Sequence, residues 1–193
     1  MASARASVPS RAPLIRRMLA VIALAVAAAA CGAEGRLLDV AIDTKLDSVA
    51  PFQVRTSRAL VALERGSTTD HALVFESTQP VVLDDIRWTF ASTRGARVFA
   101  TAGHGCGPSI DTDSGAVQFA CTEEYRYLVV KPGEPLTETI TLYGGIDGGP
   151  VATGRFVFRQ PITWWHASGD ALAPQGEKGG EVTVTLTYDV RAR

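Results

Sequence analysis

At 193 residues the chain has room for one domain of ordinary size and a short extension, which excludes a large multidomain enzyme. Hydrophobic residues are 46% of it and charged residues 20%, enough apolar surface to bury a core, so a disordered polyelectrolyte is excluded as well. Nineteen Lys and Arg stand against twenty Asp and Glu, a net charge of −1, which lacks the basic footprint that phosphate backbones require; no nucleic-acid partner is expected.

In chain order, residues 1–30 come first and differ in chemistry from all that follows. Arg5, Arg11, Arg16 and Arg17 are their only charged side chains, and Met18 to Ala30 runs without a polar residue. Thirteen apolar residues suit the h-region of a secretory signal and fall short of the roughly 20 that a spanning helix needs. Ala28, Ala29 and Ala30 then precede Cys31 and Gly32. This arrangement resembles the lipobox of bacterial lipoprotein precursors, with a departure at Ala28, where that family usually has Leu. The resemblance implies that the signal is cut before Cys31 and that Cys31 carries the lipid; with a first strand expected from Arg36, residues 31–35 are then the lipidated N-terminus and a short tether. Two or three acyl chains, at about 0.8 kcal/mol per buried methylene, anchor stably where one does not. Gly32 after the cysteine implies the outer membrane if the source has one, and plain secretion through cleavage at the same small residues is the alternative. Loss of the four signal arginines leaves the remainder at −5.

From Arg36 onward the dominant period is two, and no stretch of eleven residues carries a helical stripe. The clearest strand is 181–191, where Val182, Val184, Leu186, Tyr188 and Val190 share one face and Thr183, Thr185, Thr187 and Asp189 the other. Turn clusters such as Arg65-Gly66-Ser67, Lys131-Pro132-Gly133-Glu134 and the glycine-rich run 144–150 punctuate the rest. The spacing predicts eight or nine strands, near 36–43, 51–64, 71–77, 81–92, 96–101, 116–130, 136–143, 153–165 and 181–191, with the longer ones bent or broken. Residues 36–193 are therefore expected to form an all-β, two-sheet sandwich. The run from Leu128 through Pro132-Gly133-Glu134 to Ile140-Thr141-Leu142 and then Gly154 to Phe158 resembles the later half of bacterial immunoglobulin-like domains. The resemblance implies an immunoglobulin-like sandwich of about eight strands and no particular activity. A proteinase inhibitor of the bacillary intracellular type has a comparable pattern.

Three cysteines are an odd number for an exported chain. Lipidation of Cys31 would leave Cys106 and Cys121, which an oxidising compartment favours joining. Closing a loop of fifteen residues stabilises by about 3 kcal/mol on the chain-entropy model. Catalytic motifs are missing: there is no Gly-x-Ser-x-Gly elbow, phosphate-binding loop, zincin helix or Cys-x-x-Cys pair, and His71, His104 and His166 are far apart in sequence. A non-enzymatic role without cofactor is expected. Two metal leads are thin. His104-Gly105-Cys106 loses its thiol to the disulfide, and Asp111, Asp113 and Gly115 echo a calcium loop whose twelfth position is Thr122 instead of Glu. A polar turn explains the latter, and no metal site is expected.

The most suggestive surface feature is Trp164-Trp165-His166. In an extended segment adjacent rings point to opposite faces, so both indoles cannot enter one core. One must be covered by the loop from Ala167 to Gly180 or look outward, where it could seat a protein or glycan partner. The expectation is thus a lipid-anchored cell-envelope protein acting as a non-catalytic binding or structural module, with a secreted protease-inhibitor-like domain acting through an exposed loop as the alternative.

Overall fold

The computed structural model describes residues 37–84, 86–94, 97–111, 113–114, 116–122, 126–146, 151–167 and 177–193. Among them are thirteen strands and no α-helix: β1 (Leu37–Leu46), β2 (Phe52–Thr56), β3 (Leu60–Glu64), β4 (Thr68–Ser77), β5 (Val81–Leu83), β6 (Thr89–Arg94), β7 (Arg97–Gly103), β8 (Cys106–Ile110), β9 (Val117–Cys121), β10 (Leu128–Val130), β11 (Leu136–Tyr143), β12 (Gly154–His166) and β13 (Lys178–Ala192). A six-stranded sheet runs β10-β5-β12-β13-β1-β3 and a five-stranded sheet runs β2-β4-β11-β7-β6, while β8 and β9 form a separate hairpin. The two large sheets pack face to face as an all-β sandwich.

Alternation along the strands builds this architecture. On β13, Val182, Val184, Leu186, Tyr188 and Val190 are buried, and Thr183, Thr185, Thr187 and Asp189 between them are half-exposed, as the period of two requires. Leu38, Val40 and Ile42 of β1 face the same core. The five-stranded sheet answers with Leu73 and Phe75, Phe99, Ile140 and Leu142. Aromatic rings bridge the layers: Phe99 stacks on Phe156 with centroids 4.9 Å apart, and meets Tyr188 at 5.3 Å.

The strand count is higher than the eight or nine expected, for a physical reason. Three of the long segments, 51–64, 81–92 and 116–130, each divide between two sheets. In 51–64, β2 pairs with β4 in one sheet and β3 pairs with β1 in the other. The crossing at Ser57–Ala59 is held by the Ala72 amide, which donates to Ser57 Oγ, and by Thr56 Oγ1, which donates to the Arg58 carbonyl. In 81–92, β5 belongs to the six-stranded sheet and β6 to the five-stranded one. In 116–130, β9 lies in the hairpin and β10 in the six-stranded sheet. The inward positions change phase across the switches, from Phe52 and Val54 to Val61 and Leu63 and from Val81 and Leu83 to Ile86 and Trp88, but no glycine or proline marks the crossings, so each segment reads as one bent strand. β8 went unexpected because Cys106-Gly107-Pro108-Ser109 reads as turn residues.

The hairpin forms a third layer. Cys106, Pro108 and Ile110 alternate with more exposed Gly107 and Ser109, and Val117, Phe119 and Cys121 alternate with Gln118 and Ala120. Ile110 and Val117 pack against Val98, Ala100 and Ile146 in a small second core. β7 is therefore buried on both faces, with Phe99 turned to the main core and Val98 and Ala100 to the hairpin. A strand covered on both sides loses its alternation, which is why Val98 to Ala102 is buried at every position, Thr101 included.

Candidate functional site

Pairing registers sort the sandwich into two ends. Leu38 lies opposite Ala192, and Gly154 opposite Val190, so the start of β1, the end of β13 and the start of β12 share one end. Leu46 lies opposite Val184, and Trp164 opposite Gly180, so the close of β1, the start of β13 and Trp164–His166 share the other.

At that second end the two indoles part company, as alternation demands. Trp164 is 9% exposed and belongs to the main core. The register shifts between Trp164 and Trp165, with Gly180 and then Lys178 as partners, so Gly179 is an extra residue on β13. A Cβ at Gly179 would overlap the Trp164 ring, which makes the missing side chain a condition of this packing. Trp165 lies on the opposite, outward face. It pairs with Val82, which in turn pairs with Val129, and its ring meets Tyr127 edge-on at 5.9 Å and 85°. Val82 is 1% exposed although it lies on the outer side, so these neighbours form a satellite apolar cluster outside the main core. His166 is exposed and stands edge-on to Trp164 at 5.1 Å. The cover expected from Ala167–Gly180 falls largely on residues outside the described ones; Tyr127 provides cover that the sequence did not announce.

Cys106 and Cys121 are joined. They are directly opposite in the hairpin. The Thr122 amide donates to the Gly105 carbonyl and the Asp111 amide to the Ala116 carbonyl, so bonded rows fall at odd positions of β8 and its flanks. The cysteines and Pro108 therefore occupy non-bonded rows, where opposed Cβ atoms are closest and a proline costs no ladder bond. At the tip, Asp111 Oδ1 accepts from the amides of Asp113 and Ser114 at 2.9 and 3.1 Å, an Asx turn. These two bonds, Ser114 first, hold the Asp111 carboxyl below its usual range. Gly115 lies outside the described residues.

The three histidines stay apart. His104 is exposed beside the hairpin, whereas His71 on β4 is 2% exposed and faces the core. Its Nε2 is 3.1 Å from the Tyr188 hydroxyl and its Nδ1 3.5 Å from Thr56 Oγ1. Burial pushes the imidazole down to about 4, against weaker opposing effects of the Ala72 backbone and the Asp70 charge. The Tyr188 phenol is pushed up by burial. Among the described residues no group of three His, Cys, Asp or Glu is arranged to hold a metal.

Sequence reasoning also missed Glu138, a buried carboxylate on β11 that accepts from Arg126 Nη2 at 2.8 Å. Its position in an alternating strand, LTETITLY, was the available signal: Glu138 takes an inward place beside Ile140 and Leu142. Cys31, the expected lipid-bearing residue, lies outside the described residues. Comparison with protein-family models, with curated proteins and with solved structures found no match.

Proposed function

We propose that this chain is a non-catalytic binding or structural module of the bacterial cell envelope, anchored through lipid on Cys31. The observation that carries this reading is the Cys106–Cys121 disulfide, because such bonds persist in oxidising compartments outside the cytosol. Export agrees with the basic, apolar leader of residues 1–30 and with the small residues before Cys31. Five residues separate Cys31 from Leu37, a tether spanning roughly 12 Å as a flexible coil, so the Leu37 end of the sandwich would sit close to the bilayer. The registers then favour Trp165 and Tyr127, with His166 at the same far end on the Trp164 side, as the groups turned to a protein or glycan partner. The protease-inhibitor alternative needs a free extended loop, whereas the segment between the cysteines is a paired hairpin resting on the five-stranded sheet.

Intact mass of the native protein, with and without reductant, tests the reading. A chain beginning at Cys31 with acyl groups, gaining two protons on reduction, is expected. A chain retaining Met1, or a bare Cys31 thiol, would overturn the anchoring.

A further inference from the structure

Where the hairpin leaves the sandwich, a cavity of about 130 Å³ is lined by Arg87, His104, Thr122, Arg126 and both half-cystines, Cys106 and Cys121. Two of these side chains are guanidiniums and a third is an imidazole, and they come from three separate stretches of chain. Arg126 is held in place by the bond from its Nη2 to Glu138, whose side chain is 5% exposed. Burying a carboxylate is costly unless a cation engages it, so this pair fixes the guanidinium far more firmly than a surface ion pair would. A guanidinium has five N–H donors in a planar fork, and one bond to Glu138 leaves capacity for another oxygen acid. Thr122 adds a hydroxyl. The disulfide and the bond from the Thr122 amide to the Gly105 carbonyl set the spacing between the His104 wall and the Thr122 wall.

We infer that this cavity binds a single oxyanion group, a phosphate or a carboxylate, of a small ligand. The Arg126 fork supplies charge-assisted donors, and Arg87, His104 and Thr122 supply further hydrogen bonds from the facing walls. The volume suits one such group, since pockets for whole drug-sized molecules run to roughly 300 Å³ and more. The inference stands independently of the membrane anchor and of the aromatic end.

Backbone NMR titration of the full chain with sodium phosphate, and separately with sodium acetate, tests it against sodium chloride at matched ionic strength. Saturable shifts at residues 87, 104, 122 and 126 with phosphate or acetate are expected, and the tighter of the two names the acid. Arg87→Gln should weaken that binding about tenfold, the size of one lost charge-assisted hydrogen bond. Arg126→Gln removes a partner of buried Glu138 and can unfold the protein by itself, so His104→Gln provides the second variant, with a smaller loss expected. Reduction of the disulfide should weaken binding as well. Shifts that chloride reproduces, or oxyanion binding unchanged in both Arg87→Gln and His104→Gln, would overturn the inference.

Discussion

The imidazole of His71, on the five-stranded sheet, lies 3.1 Å from the hydroxyl of Tyr188, on the six-stranded sheet, so a polar contact joins the two layers through the core. Thr101, 1% exposed, is another buried polar side chain. A buried polar group is expensive when its partner is taken away. Tyr188→Phe should therefore destabilise by about 1–3 kcal/mol despite keeping the ring, read as a lower urea midpoint with unchanged slope.

The same contact predicts a pH dependence. His71 is pushed down to about 4 in the folded protein from 6.5 in the unfolded chain, so between those values the unfolded state binds more protons. Its contribution is complete above pH 6.5 and is lost as the pH falls towards 4, a total of about 3 kcal/mol. Carboxylates also titrate at the lower end, so the measurement is the difference between the wild type and His71→Gln. Urea midpoints from pH 7.5 to 4 should converge as the pH falls. Parallel curves would disprove a buried neutral imidazole.

Gly179 and Trp164 give a packing test. A side chain at 179 must displace the indole, so Gly179→Val should cost about 1–3 kcal/mol, the usual range for overpacking, and alter tryptophan fluorescence. Gly107→Ala, where an added Cβ meets nothing within 4 Å, is the control and should change little.

The two indoles should respond differently to truncation. Trp164→Ala opens the main core and should cost about 3–5 kcal/mol. Trp165→Ala touches the satellite cluster with Tyr127 and Val82 and should cost less in thermal denaturation, while reducing capture of an envelope partner in a pull-down. Equal losses of stability would mean that the outward ring is as structural as the inward one.

Replacing Cys106 and Cys121 by serine should cost about 3 kcal/mol. Hydrogen exchange should localise the change to 106–121 and to the outer face of β7, with the main core amides retaining their order of protection.

How much of this was legible follows from what each residue's environment has in common with its neighbours. β13 and β1 declared themselves because one face is wet and one dry. At Ser57–Ala59 the only sign of a sheet switch is a change of phase, from Phe52 and Val54 to Val61 and Leu63, which a bend within one strand would produce as well. The disulfide was legible from cysteine arithmetic, and the division of Trp164 from Trp165 from strand geometry. Tyr127 was not, because its contact with Trp165 spans 38 positions and depends on which strands become neighbours through β5. His71 and Glu138 looked like surface residues by type; only alternation with Leu73 and Ile140 marks them as inward.

β1 and β13 are joined over nine register pairs, with Leu37 and Arg193 at the same extremity. Tension between the two termini would open this ladder like a zip, one rung after another. Tension from Leu37 towards Trp165 would instead load it in shear, with all the rungs resisting at once. A tether at the amino-terminal side and a grip at the aromatic side would thus pull along the mechanically strong direction of the molecule.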